Sequence, residues 1–377
     1  MCRTTRPNRQ AAVCGALPPW LGVTLMASVL SMATPGWAQE TVGKWEIEFH
    51  GGGGLVNNPT DGTGNLPTAG PPFTSVVGTT SRRTSSWYFG DGAVLLNQVN
   101  AALGVAQAIT PLDPVLKRSL ADRRRGASFG FRVSRAISRR FSAEFTFDYA
   151  PGRLTMSPAA LAGIEASRAS FTSAWNALIA NGPFLRSTVT SVSTIHDRDG
   201  KQTFTTGALN INLKTTGKVI PYATAGAGLI AKIGGTPSAS LTGNYQFQTL
   251  GPFLFPVNET DTVTLRSSID DSVAGVLGGG LKYFVSPRWG IRFDVRAFLN
   301  KASTATVVDT RPSVSVVTTQ LPSGVTASFT TPSLQFSNNA AFGSSSLTGS
   351  PLTGFRSFSG SGLQSHMNVT AGVFLRF

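Results

Sequence analysis

Charged side chains recur at every second position in several stretches of this chain, and that spacing limits the chemistry open to them. Glu46, Glu48, Arg132, Glu144, Asp148, Lys214, Lys282, Arg292, Asp294, Arg296 and Arg376 each directly follow an apolar or aromatic residue. A period of two places such residues on one face of a strand and the apolar ones on the other. If the charged face is the inside of a closed sheet, five acids and six bases nearly balance. A hydrogen-bonded ion-pair network is then expected, because burying so many charges unpaired is prohibitive. The same residues could instead line a narrow path for small solutes.

Three histidines, His50, His196 and His366, raise the possibility of a Ser–His lipid hydrolase. His50 and His366 fall on the first and last strands, toward the outer rim. Serines are so frequent that one Ser–His contact is expected by chance, and no catalytic motif appears in its required context. The chain is therefore expected not to be an enzyme. His196-Asp197-Arg198-Asp199-Gly200 reads as a turn, and too few ligands cluster for a metal site. Gly51 to Gly54 look like a phosphate-binding loop but lack its Lys-Ser/Thr. No cofactor is expected.

The elements that must position the charged face are strands. Lys44 to Leu55 alternates, and so do Ala127–Val133 and Phe141–Tyr149, which are joined by a short turn. Thr203–Lys214 and Val219–Ile233 form a second pair around Thr215-Thr216-Gly217-Lys218, although the inward face of the latter is ambiguous. Asp271–Val285 and Trp289–Leu299 flank Ser286-Pro287-Arg288. The last strand, Met367 to Phe377, alternates for eleven residues. Eight strands result, with ten as the alternative. Trp45, Phe141, Trp289 and Phe377 then fall near one rim, where an aromatic girdle belongs.

No segment after the first 38 residues carries a long apolar run, although 41% of the chain is hydrophobic and only 13% is charged. Alternating strands closed on themselves cross a bilayer without such a run, because every backbone group is paired within the sheet. The fold class expected is all-β, a closed antiparallel up-and-down transmembrane β-barrel. Short turns belong on the periplasmic side and long segments outside. The long segments are about 57–125, 150–202, 234–269 and 300–365. Helices are expected within them near Ala93–Ile109 and from Ser157 to Asn181. In the second, Pro158 suits the first helical position and Leu161, Ile164, Phe171, Trp175 and Leu178 form one stripe.

The first 38 residues read as a cleaved signal peptide, followed by the barrel over 39–377. Arg3, Arg6 and Arg9 precede an apolar stretch, and Gly36 and Ala38 suit the cleavage positions. Cys2 and Cys14 both precede that cut, which leaves the mature chain without disulfides. The formal charge of +14 becomes +11 without the three arginines, 29 Lys+Arg against 18 Asp+Glu. No basic stripe interleaved with aromatics accompanies it, so nucleic acid is not the expected partner. Outer-membrane lipid and lipopolysaccharide are.

Two stretches resemble a known family. Gly278 to Arg296, GGGLKYFVSPRWGIRFDVR, resembles the penultimate hairpin of small outer-membrane β-barrel proteins of the OmpA/OmpX-like type. Pro221-Tyr222 with Gly226 and Gly228 resembles their fifth strand. The resemblance covers the strands, about 100 residues, and not the long segments. It implies an outer-membrane location in a Gram-negative bacterium. Val373, Leu375 and Phe377 resemble the C-terminal signal read by the barrel assembly machinery. The sequence departs from OmpA in having no peptidoglycan-binding domain. A structural or surface-interacting role is the expectation, with extracellular ligands met through the long segments. The alternative is a narrow channel.

Overall fold

The computed structural model describes residues 42–56, 62–68, 72–74, 80–181, 184–197, 199–249, 256–320, 323–330, 336–337, 344–346 and 351–377. The expected signal peptide lies outside them. In chain order the main elements are β1 (Trp45–Val56), α1 (Gly90–Ala102), β2 (Gly126–Ala136), β3 (Phe141–Met156), α2 (Pro158–Asn181), β4 (Phe184–Asp197), β5 (Asp199–Asn212), β6 (Val219–Ile233), β7 (Ser238–Thr249), β8 (Pro256–Ile269), β9 (Ser272–Phe284), β10 (Trp289–Val314), β11 (Val316–Gln320), β12 (Thr326–Thr330) and β13 (Phe355–Arg376).

Eight of these strands close into a ring. The order is β1, β2, β3, β5, β6, β9, β10, β13 and back to β1, with every neighbour antiparallel. The two ends of the chain make the seam, where Glu46 lies opposite Arg376 and Phe49 opposite Val373. The alternation read in the sequence sets which residues face which way. Phe49 is 71% exposed on the outer wall and Phe293 55%, while Glu48 and Arg292, the residue before each, are 1% exposed inside. This polarity is the reverse of a water-soluble protein. A wall of exposed aromatics around a charged interior is stable where the surroundings are lipid.

Short turns join the strands at one end. Two of them share a design. Ser138 Oγ accepts from the backbone N–H of Arg140 and Phe141, and Ser286 Oγ accepts likewise from Arg288 and Trp289. Each serine thereby satisfies two amides that a tight turn would otherwise leave unpaired.

Glycine has a definite task at the seam. A Cβ on Gly52 would lie 2.0 Å from the Val369 carbonyl oxygen, whereas one on Gly53 would have nothing nearer than 3.6 Å. Gly52 faces the crowded interior and Gly53 the outer wall. Gly52→Val should therefore cut the folded fraction at least several-fold, with Gly53→Val close to wild type. Heat-modifiable gel mobility after refolding reads this directly, and equal yields for the two variants would refute it.

The sequence places 234–269 and 300–365 outside the membrane, with Thr304–Val308 and Val325–Phe329 as stretches that could extend the barrel strands beyond it. The wall does continue outward. β10 pairs with β9 as far as Asn300, then with β8 from Thr304 to Val314, and with β13 along the way. β8 pairs with β7, and β7 with β4. The β-branched run Thr304-Ala-Thr-Val-Val is thus a direct extension of a membrane strand. Val325–Phe329 contributes instead to a separate hairpin, in which β11 pairs with β12.

Above the membrane the inside changes character. α2 packs across the inner face of β4 and β7, and α1 lies against α2. Phe171 stacks on Tyr88 at 4.6 Å and Trp175 on Tyr245 at 4.1 Å, with Trp87 meeting Trp175 edge-on at 5.6 Å. Leu96, Ile164, Leu241, Val263, Leu265 and Val308 complete a conventional apolar core. Each such side chain contributes on the order of 1.5–3 kcal/mol by leaving water. The helical stripe expected in α2 is buried at Ile164, Phe171, Trp175 and Leu178, and Leu161 is half-buried against it. α1 ends at Ala102 rather than near Ile109, because Gly104 takes a left-handed conformation (φ 71°) just past its end.

Candidate functional site

The ring of eight strands brings the inward charges to one level. Glu48 comes from β1, Arg132 from β2, Glu144 from β3, and Arg292, Asp294 and Arg296 from β10. Three arginines and three carboxylates interlock. Arg132 reaches Glu48 at 2.8 Å, Glu144 at 3.1 Å and Asp294 at 3.0 Å. Arg292 reaches Glu144 at 2.8 Å and both Glu48 and Asp294 at 3.4 Å. Arg296 reaches Glu144 at 2.5 Å and Asp294 at 2.8 Å. Every carboxylate is shared between arginines, and all six residues are buried. Guanidinium groups suit this task, because a planar fork serves two carboxylates at once.

A second charged group lies nearer the short turns. Glu46 holds Lys282 at 3.0 Å and Arg376 at 3.3 Å. Arg376 also lies over the ring of Phe284 at 4.4 Å, and Phe284 packs edge-on with Phe374 beside Ile220. On the other side of the three-arginine layer, His50 Nε2 lies 2.5 Å from Asp148 Oδ1. Beyond it comes an apolar layer of Phe204, Phe298, Ile230 and Val276, with His366 edge-on to Phe204 at 5.5 Å. The core under α2 then follows. From one end to the other the lumen is filled in succession by aromatic, charged, aromatic and apolar side chains.

Ten of the eleven charged residues singled out in the sequence take part in these contacts. Lys214 does not. β5 ends at Asn212, so Lys214 lies in the turn, half-buried, with its Nζ beside Gly217. Its parity with Asn210 and Asn212 loses meaning once the strand has ended. Sequence reasoning missed His50 as a member of the network, although it shares the parity of Glu46 and Glu48. It also placed His50 and His366 together near the outer rim. In the register His50 faces Gly372 and His366 faces Val56, which separates them by six positions. Tyr222 was missed as well. Its hydroxyl accepts from Arg292 Nε at 2.6 Å, and the guanidinium stacks on its ring at 4.3 Å.

Trp45, Phe141, Trp289 and Phe377 are all exposed at the short-turn end. Val373, Leu375 and Phe377 point outward along the last strand, with Leu375 opposite Ile47 and Trp289. His196 meets Ser240 at 2.9 Å on an exposed strand face. A hydroxyl–imidazole contact in so open a setting is an ordinary cross-strand pair.

The outer part holds a polar cluster that the sequence did not reveal. Glu259 and Asp261 are both 0% exposed on the inner face of β8. Tyr245 donates to Glu259, and Trp87 Nε1 donates to the Tyr245 hydroxyl at 3.0 Å. Asp261 accepts from Ser86 Oγ at 2.8 Å and from the Trp87 amide at 2.7 Å. Burial pushes the Asp261 carboxyl up to about 7, against the lowering effect of those two donors, and neighbouring Glu259 adds to the rise. Burial likewise raises the hydroxyls of Tyr88 and Tyr245.

No family model matches the chain, and no curated protein matches it in sequence. Among solved structures, the outer membrane protein OprG from Pseudomonas aeruginosa is 9% identical. The comparison covers 90% of this chain and 98% of that one, with a TM-score of 0.35. A TodX monoaromatic hydrocarbon channel mutant is also 9% identical over 92% of this chain and 98% of its own, with a TM-score of 0.16. At these scores the likenesses add nothing to the closed hydrogen-bond register, which establishes the barrel by itself.

Proposed function

We propose that the chain is an integral outer-membrane β-barrel of a Gram-negative bacterium, akin to the small OmpA/OmpX-like barrels, and that it works without catalysis. In this reading the eight strands are a sealed anchor, and the folded outer part is the surface that meets other molecules. The observation that carries it is the filled lumen, with Arg132, Arg292 and Arg296 locked to Glu48, Glu144 and Asp294 between two apolar layers. An eight-stranded barrel has room for its own side chains and little else. The inverted polarity of the wall supports the membrane assignment. Exposed Lys117, Arg118, Arg124 and Arg125 in the outer part suit lipopolysaccharide phosphates. The exposed β11–β12 hairpin, with Val316 and Val325 outward, suits an extracellular ligand. Val373, Leu375 and Phe377 serve the barrel assembly machinery in this reading.

The refolded mature protein in a planar bilayer should show no reproducible single-channel steps, with insertion verified by heat-modifiable mobility. Steady conductance steps from inserted wild-type protein would overturn the sealed-anchor reading in favour of a narrow channel.

A further inference from the structure

Among the described residues, the side chains at the short-turn rim of the barrel carry one sign of charge. Lys44, Arg135, Arg139, Arg140, Lys218 and Arg288 are exposed there, and Lys214 is half-buried among them. They come from the start of β1, the end of β2, the β2–β3 turn, the β5–β6 turn and the β9–β10 turn, so they are spread around the rim rather than gathered on one side. Among the described residues, none of them forms a salt bridge, and no Asp or Glu side chain is exposed beside them. The nearest acid, Glu46, points inward and is held by Lys282 and Arg376. A ring of like charges repels itself, which is a standing cost unless a counter-charge is present.

The depth of these cations identifies the counter-charge. Each turn exposes an apolar side chain next to its basic ones: Ile137 is 57% exposed beside Arg139, Leu213 70% beside Lys214, and Val285 45% near Arg288. Residues of this kind in turns projecting freely into water would be wasted. At the boundary between acyl chains and headgroups they are satisfied, with the long basic side chains extending to the phosphates. The girdle points the same way. Phe141 directly follows Arg140, Trp289 directly follows Arg288, and the Arg135 guanidinium lies over the Trp45 ring at 5.3 Å. Aromatic ring and cation therefore sit together at interfacial depth.

We propose that this rim is a binding surface for anionic phospholipid headgroups of the periplasmic leaflet. The inference rests on the membrane reading above and adds to it a lipid preference and a residue set. A basic group near an anionic lipid surface strengthens binding roughly fivefold, and the effect falls away within a Debye length of salt. Several acting together give a strong, salt-sensitive preference.

The test uses the full mature chain refolded into phosphatidylcholine vesicles with or without about 30 mol% phosphatidylglycerol, an anionic lipid that gives the surface a negative potential. Native mass spectrometry of the extracted protein then counts retained lipids. The wild type should retain phosphatidylglycerol over phosphatidylcholine at least about tenfold, and Arg135→Gln/Arg139→Gln/Arg140→Gln/Arg288→Gln should lose that preference while still inserting. A control, Arg311→Gln/Arg356→Gln, alters exposed arginines of the outer part and should keep it. Equal retention of both lipids by the wild type, or unchanged selectivity in the rim variant, overturns the proposal. So does co-sedimentation with purified peptidoglycan that the rim variant alone abolishes while its lipid selectivity stays intact. Failure of the wild type to insert in either vesicle would count against the membrane reading itself, a result separable from all of these.

Discussion

Arg292→Met should lower the unfolding stability of the barrel by about 3–5 kcal/mol, the usual cost of removing one partner from a buried ion pair. The magnitude follows from what remains. With Arg292 gone, Glu48, Glu144 and Asp294 face only Arg132 and Arg296, and one negative charge has no counter-charge in a dry interior. Two further contacts go with it, the hydrogen bond to the Tyr222 hydroxyl at 2.6 Å and the stacking on its ring. Methionine has a comparable reach, so the loss is electrostatic more than volumetric. The double variant Arg292→Met/Glu144→Gln restores neutrality in the layer and should recover most of the stability. Urea unfolding in lipid vesicles, followed by tryptophan fluorescence, measures both. A single variant within 1 kcal/mol of wild type, or a double variant weaker than the sum of its two singles, would mean that the charges are separately hydrated and the lumen is wet. Conductance should stay silent even in the single variant, because the Phe284–Phe374 and Phe204–Phe298 layers lie on either side of the lost side chain.

That layer was largely legible in the sequence, and the reason is physical. In lipid, a strand must show an apolar face outward, so an acid or base at alternate positions declares the inward face. β1, β3 and β10 carry this signal plainly. β6 does not, since Ala, Gly and Thr fill both of its faces, and Tyr222 went unassigned for that reason. The same rule fails once the wall leaves the membrane. On β8, Val257, Glu259, Asp261, Val263 and Leu265 all point inward. Alternation there mixes acids with aliphatics on one face, so the segment read as a polar loop. What turns it into a core is α2, whose aromatic stripe was visible but whose partner strands were not. Strand ends were the other weak point. Lys214 shares the parity of Asn212 but lies past the last ladder hydrogen bond, and parity does not constrain a turn.

The buried acids of the outer part lead to a dependence on pH. Asp261 lies under Trp87 and α2 with neither oxygen exposed, and burial raises its carboxyl to about 7 from an ordinary 3.8. The groups facing it are Ser86 and the Trp87 amide, which donate to it, and Glu259, which repels it. The folded form therefore keeps a proton that the unfolded chain releases near pH 4. Stability linked to this group is fully present below about pH 4, declines as pH rises, and is gone above about pH 7. The direction is opposite to that of a salt-bridged carboxylate. A carboxyl displaced this far upward by folding corresponds to a loss of order 4 kcal/mol across that window. Asp261→Asn keeps a hydrogen-bond acceptor for Trp87 and Ser86 without any charge to bury, so it should flatten the profile and raise stability at pH 8. Trp87 and Trp175 both lie in this core and report its melting, while heat-modifiable mobility reports the barrel. A melting temperature of the outer core that falls between pH 5 and pH 8 in the wild type and holds steady in Asp261→Asn is the expected pair of results. The same slope in both proteins would show that Asp261 is ionised in the folded state throughout, its charge met by water reaching in beneath α2.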